Sequence, residues 1–463
     1  MNLSAITKMN DPATVDDYAL PGTETVALEP EAGPPAKAKP QPLRRAKRPE
    51  FYKPFHYILL VYLFFYCSRI QELIPNAHTG LLLQPILIIG MFMTGSTKAI
   101  LRSDIGRIMV WFTAWVAVCV PFSTWRWGSV IQFVVALQAL GILFFMLAFI
   151  RTMDDCYRVM LTMALAMAVV GALSLVIGGG RGAAGPEANR LGLGTGGDTL
   201  SDANFLALYL VVGVPLLYFS ASMRRGIMRV GLICLMVPVL AGMAKTGSRS
   251  GLLALAVGGL FFFAFANARQ RAMMIIGGTV FLICALLFLP HKIVERFTTY
   301  FQSQSEATAE AAASAETRKV LLIRSLELTA KHPLFGVGPG EFVDAEAKDA
   351  EANGERGLWH YSHNSYTELS SECGLTGLIL YLIAFWRAFR GLSPLRDRFP
   401  RALGRRAALF VQITVVIAAV GAFFLSIAYG GVVYCILGLS AAMQLAAKKE
   451  YREMNPPLQE AGA

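Results

Sequence analysis

Residues Ser362-His363-Asn364-Ser365-Tyr366-Thr367-Glu368-Leu369-Ser370-Ser371-Glu372-Cys373-Gly374-Leu375-Thr376-Gly377 run on into Leu378-Ile379-Leu380-Tyr381-Leu382. One imidazole and two carboxylates stand at the entrance of a hydrophobic helix, at the end of the longest polar loop in the chain. Membrane spans carry ionisable groups sparingly unless they are used. The stretch therefore reads as the mouth of a membrane helix at which water and a lipid-borne substrate can meet.

The rest of the chain has the same character. Of 463 residues, 55% are hydrophobic and only 16% charged, against roughly 25% charged in a typical soluble protein. Apolar runs of about 20 residues recur, each long enough to cross a bilayer as a helix. They are continuously apolar and do not alternate, which argues against a closed barrel. Seven scattered cysteines form no CxxC pair, so neither a zinc site nor a disulfide framework is expected.

Twelve spans are predicted, near 55–67, 79–95, 108–123, 129–150, 159–178, 203–221, 228–244, 250–266, 272–290, 366–386, 407–427 and 430–447. The domain plan is a tail at 1–54, spans one to nine at 55–290, a loop at 291–365, spans ten to twelve at 366–447 and a tail at 448–463. The first 50 residues contain eight prolines and no apolar run, a composition that cannot bury a core and predicts disorder. Their basic end, Lys37 to Arg48, abuts the first span, where it can meet anionic headgroups.

Orientation follows from counting. With the N-terminus inside, cytoplasmic segments hold 28 of the 42 Lys and Arg and outer segments hold 14. Eight of those 14 lie in loop 291–365, which the positive-inside rule discounts. Both termini are thus expected in the cytoplasm. The net charge of +11 is read as topogenic, and no nucleic-acid partner is implied. Loops 178–202, 245–250 and 291–365 then share the outer side.

Those loops hold the candidate chemistry. The glycine-rich loop 178–202 carries Arg190, either a charge clamp on flexible backbone or a hydrated arginine. Its Gly192, Gly194 and Gly197 match GxGxxG, but no strand precedes them, so the match has no dinucleotide context. In Lys245-Thr246-Gly247-Ser248-Arg249-Ser250-Gly251, Arg249 stands at the membrane boundary. A guanidinium there either snorkels or offers its planar fork to phosphate oxygens. Leu321, Leu322, Ser325, Leu328 and Thr329 recur at helical spacing, which predicts an amphipathic helix on the membrane surface bearing Arg318 and Arg324. Gly336, Gly338 and Gly340 with Pro333 and Pro339 end it in a turn. Ser365-x-x-Glu368 has the pattern of a capping box opening the tenth span. His363 then lies in the positive field of that helix, which suits work on an anion and disfavours the imidazolium. The alternative is a capped helix with an exposed histidine and interfacial carboxylates. No midplane carboxylate or histidine relay of a proton-coupled transporter is evident.

The string HNSYTELSSECGLTGLILYL resembles the O-antigen ligase and polymerase superfamily. So do the preceding HPLFGVGPGEF, the upstream TGSRSGLLAL and the Arg-Gly-rich loop followed by ANFLALYL. The resemblance covers roughly residues 185–385. It implies an all-α, GT-C-like bundle of about 12 spans, with a long periplasmic loop containing short helices, in the bacterial inner membrane. It implies a metal-independent, inverting glycosyltransferase without cofactors. The donor would be a glycan on undecaprenyl diphosphate, and the acceptor a hydroxyl of lipid A-core or of a growing polysaccharide. By the same resemblance His363 matches the essential histidine; Glu368 is expected either to orient it or only to cap the helix. Arg249 and Arg190 match the family's arginines, and Arg318 joins them at the diphosphate. The chain departs from the family in carrying Val320-Leu321-Leu322 where a Trp is frequent, and in its long tail. A repeat-unit polymerase, a transporter of a small anion or lipid-linked precursor, and a non-catalytic membrane scaffold are the competing readings.

Overall fold

The computed structural model describes residues 50–73, 79–179, 190–193, 199–288 and 306–455. The expectations for the first 49 residues, for most of the glycine-rich loop, for 289–305 and for the last eight residues lie outside that range. Among the described residues there are sixteen α-helices and no strand. They are α1 Lys53–Ser68, α2 Thr79–Met93, α3 Asp104–Cys119, α4 Arg126–Phe149, α5 Met153–Ile177, α6 Ala203–Ser222, α7 Gly226–Cys234 and α8 Met236–Lys245. There follow α9 Arg249–Phe265, α10 Ala268–Phe288, α11 Glu306–Lys331, α12 Phe342–Ala352, α13 Ser365–Arg390, α14 Ser393–Arg398, α15 Ala402–Ala422 and α16 Gly431–Met454.

Each predicted span falls on a helix or, at 228–244, on the pair α7 and α8. Among the described residues, eight helices are long and apolar enough to cross a membrane, or up to nine if the bent pair Leu82–Met93 and Ser96–Arg102 is one span. The chain is an all-α polytopic bundle.

Local chemistry starts these helices. Ser103, Asp202 and Ser248 cap α3, α6 and α9 with side-chain oxygens, and Thr152 with Asp155 forms a capping box on α5. Each cap satisfies amide hydrogens that a helix start leaves without partners. The core is built from α5, α6, α15 and α16, the last three being the most buried spans. α5 packs on α1, α6 and α8; α15 on α6 and α9; α16 on α4; and α13 on α3. α10 touches the bundle only lightly along α9, and Ile275, Ile276, Leu282 and Leu287 on it are exposed.

The loop between α10 and α13 is a folded cap holding α11 and α12. Leu321 and Leu328 of α11 are buried with Val337, Phe342 and Ala345, and Thr329 Oγ1 meets Ser370 Oγ of α13 at 2.8 Å. The amphipathic face predicted to lie on the membrane is instead covered by protein, because α12 and the start of α13 supply the apolar partner. Arg324 clamps the cap through Glu346 and through Glu355 at 2.7 Å, and Glu346 also accepts the amides of Leu358 and Trp359 at 3.1 and 3.3 Å.

Candidate functional site

The cap positions the polar mouth of α13. Asn364, not Ser365, is its N-cap: Asn364 Oδ1 accepts from the amides of Tyr366 and Thr367 at 3.0 and 3.3 Å. The expected capping box is absent because Ser365 is already engaged. Its Oγ donates to the Leu425 carbonyl at 2.5 Å and accepts from the Ile427 amide at 2.8 Å. These bonds pin the helix start to the loop between α15 and α16. Ser362 completes the turn, its Oγ donating to the Asn364 carbonyl at 3.0 Å and accepting the Asn364 amide at 3.2 Å. Between Ser362 and Asn364, His363 is held at φ +52°. A left-handed backbone at a residue with a side chain costs about 1–3 kcal/mol and persists where its surroundings enforce it, commonly at functional sites.

His363 opens onto a cavity of about 640 Å³. Arg249 at the first residue of α9, and Arg318 and Lys319 on α11, line it too. Ser250, Ser314, Ser362 and Asn364 complete the polar part, while Leu252, Leu253, Phe423 and Phe424 make an apolar wall. No carboxylate lines the cavity among the described residues. The N-terminal ends of two helices, α9 and α13, reach it, and helix N-termini favour anions. Leu253 and Phe423 are about half exposed, so the apolar side is open at the molecular surface.

Arg190 lies at the same turn but behind it. Its Nε donates to the Thr246 carbonyl at 3.0 Å and its Nη2 to Asn204 Oδ1 at 2.8 Å. Asn204 Oδ1 also accepts from Ser248 Oγ at 2.9 Å. Arg190 is 7% exposed and braces the turn that presents Arg249, without being part of the cavity wall. Glu368 is also buried off the wall, next to Ser426 and one helical turn from Glu372. Glu372 is tied down: Tyr429 donates to its Oε2 at 2.9 Å and the Phe342 amide to its Oε1 at 3.3 Å.

α13 is broken at Gly374, at φ +68° and ψ −178°. The turn after α11 docks into that break. The amides of Val337 and Gly338 donate to the carbonyls of Ser371 and Glu372 at 2.8 and 3.0 Å, and that of Leu375 to Pro333 at 2.9 Å. Trp115 of α3 donates to the Cys373 carbonyl at 2.8 Å. The glycine-rich turn is thus structural, its Val337 and Gly338 amides spent on α13. A Cβ at Gly336 would collide with the Glu372 backbone and one at Gly374 with Leu334, so both positions require glycine.

The sequence brought His363, Arg249 and Arg318 forward, and these three share one cavity. It missed Lys319, Asn364 and the aromatic pair Phe423-Phe424. The adjacent Arg318-Lys319 pair was a usable signal for the first of these. The aromatic pair comes from a distant helix end and carried none. Glu341, between the cap helices, was also missed. It is buried against α4 at Gly128, and burial, aided by nearby Asp344, pushes its carboxyl up to about 7.

The comparison with protein families bears on this region directly. The O-antigen ligase family model matches residues 234–382. The match runs from the end of α7 through α8, the Arg249 turn and the cap to the apolar part of α13, and so bears out the resemblance carried by the 363–382 string. No curated protein matches the chain. A solved structure described as "Structural coordination of polymerization and crosslinking by a peptidoglycan synthase complex" is similar over 76% of this chain and 99% of that one, at 15% identity and a TM-score of 0.41.

Proposed function

We propose that the protein transfers a glycan from undecaprenyl diphosphate to a hydroxyl acceptor, lipid A-core or a polysaccharide, on the outer face of a bacterial inner membrane. The observation that carries this reading is the convergence of Arg249, Arg318, Lys319 and His363 on one cavity with an apolar wall, within and around the segment matched by the O-antigen ligase family. A diphosphate with a prenyl tail has the same division, anionic at one end and apolar at the other.

The chemistry follows from that placement. The donor's tail lies along Leu252, Leu253, Phe423 and Phe424, and its diphosphate meets Arg249, Arg318 and Lys319. An acceptor hydroxyl attacks the anomeric carbon from the face opposite the diphosphate. The bond to the diphosphate oxygen breaks with inversion, and the growing charge on the leaving group is stabilised by preorganised cations. His363 takes or orients the hydroxyl proton, a role typically contributing about 10²–10⁴-fold. Arg190 and Glu368 act as positioning residues, the first under the Arg249 turn and the second beneath the first turn of α13. The charge distribution supports both termini being cytoplasmic.

Purified protein in vesicles with a lipid-diphosphate glycan and an acceptor tests the reading. Free undecaprenyl diphosphate and a new glycosidic bond are expected. Passage of labelled donor across the vesicle wall without a new bond would make the protein a transporter. Deleting the gene separates the acceptors: loss of all long glycan from lipid A-core marks a ligase, and retention of single repeats marks a polymerase.

A further inference from the structure

A second cavity, of about 480 Å³, lies at the other end of the bundle. α4 starts beside the cap, where Ser129 Oγ donates to the Pro339 carbonyl at 2.9 Å, and ends at Phe149. α16 starts just after Tyr429, which bonds Glu372, and ends at Met454. Each is 24 residues long, so their far ends lie about 36 Å from the cap at 1.5 Å per residue. The second cavity lies between those far ends.

Its wall is strongly cationic. Arg102, Arg151, Lys448, Lys449 and Arg452 line it, against one acid, Glu453. Glu453 stands 4.0 Å from Lys449. Arg102, Arg151, Lys448 and Arg452 have no carboxylate partner among the described residues. Arg151 is fixed in place: its Nη2 donates to Ser96 Oγ and its Nε to the Ala148 carbonyl, both at 2.7 Å, and its guanidinium lies 4.6 Å from the Tyr52 ring centroid. A guanidinium held this way presents a planar fork to two oxygens of a tetrahedral phosphate. Leu147, Ile150, Leu445 and Ala446 form the inner side of the same cavity. Leu101 beside Arg102, with Phe92 and Met93 at the end of α2, is exposed apolar surface along which acyl chains can lie.

We propose that this cavity binds the phosphate headgroup of an anionic phospholipid. Cations dispersed around a membrane protein to set topology need no concavity. Here they converge from three elements on one pocket at headgroup depth, with an apolar inner wall, the pattern expected of a lipid-headgroup site between membrane helices. A free phosphate would satisfy the cations but would leave the apolar side unused.

The test is native mass spectrometry of the full-length protein in detergent, with phosphatidylglycerol and phosphatidylcholine as probes. One phosphatidylglycerol is expected to bind in preference to phosphatidylcholine, and excess inorganic phosphate is expected not to displace it. Each basic residue near an anionic surface contributes about fivefold in affinity, so Lys448→Gln/Arg452→Gln should weaken phosphatidylglycerol about 25-fold, while Arg398→Gln/Arg406→Gln, at the same end but outside the pocket, should change it less than about twofold. Lys448 and Arg452 are exposed helical positions, so the variant should keep the wild-type melting temperature, and Lys448→Arg should retain binding. Equal weakening by both double variants would reduce the effect to surface charge and overturn the proposal. Displacement by inorganic phosphate would overturn the lipid assignment, and unchanged binding in Lys448→Gln/Arg452→Gln would overturn the site.

Discussion

His363, Arg249 and Arg190 are all candidates in the sequence, and their surroundings separate them. Arg249 faces the cavity from a helix start, whereas Arg190 is buried with its donors on Thr246 and Asn204. Arg249→Ala is therefore expected to lower turnover by about 10²–10³-fold, the cost of removing one preorganised donor, with little change in melting temperature. Arg190→Ala should lower stability first, by about 1–3 kcal/mol, because it strands buried acceptors; thermal unfolding in detergent beside a turnover assay distinguishes the two. That difference was not legible in the sequence, since it depends on Asn204 folding back onto a turn more than forty residues away. Glu341 gives a second expectation. Its carboxyl is raised from the ordinary 4.5 to about 7 by burial, so the folded state holds the proton more tightly than the unfolded chain. The stabilisation is complete below about pH 4.5 and is lost as pH rises through 7. Glu341→Gln should flatten that fall, read as melting temperature between pH 5 and pH 8 (about the window set by the two values).

Up to nine of the twelve predicted spans coincide with described helices long and apolar enough to cross a membrane, and they were legible because a bilayer demands continuous apolar runs. The break in α13 was not legible. Gly374 resembles any glycine in an apolar helix until the carbonyls it frees are seen paired with Val337, Gly338 and Trp115. The same pairing explains the three glycines of the preceding turn, which the sequence could identify only as a helix stop. Gly374→Ala, forced into a left-handed backbone against Leu334, is expected to destabilise the protein by at least about 1–3 kcal/mol. It should also slow transfer, because His363 sits just before the N-cap of α13; a lowered melting temperature with undiminished turnover would show that the break is not what holds the histidine. The reading of α11 as a membrane-surface helix failed for a related reason. An amphipathic face reports that something apolar covers it, and here the cover is the cap itself, with Leu321 and Leu328 against Phe342.

As a bundle, the molecule has two unlike ends. One holds the cap, the broken helix and the cavity of Arg249, Arg318, Lys319 and His363. The other gathers the arginines of 387–406 and the second cationic cavity. The positive-inside rule assigns the arginine-rich end to the cytoplasm. A green fluorescent protein fused after Ala463 should fluoresce, and a cysteine introduced at exposed Trp359 should react with an impermeant maleimide added outside intact spheroplasts. A dark fusion with an unreactive cysteine would invert the bundle and remove the outer face from the proposed reaction. Both ends depend on helices crossing the whole bundle, so their separation was implied by the spans, while the cavities arose only from packing.

We propose that His363 handles the acceptor proton while Arg249, Arg318 and Lys319 hold the diphosphate. The most direct measurement is glycan transfer by purified His363→Asn protein, with donor binding recorded in parallel. Asparagine tolerates the left-handed backbone, so the fold and the cationic wall should persist. Donor affinity should stay near wild type, and turnover should fall about 10²–10⁴-fold. Transfer at the wild-type rate would contradict the assignment.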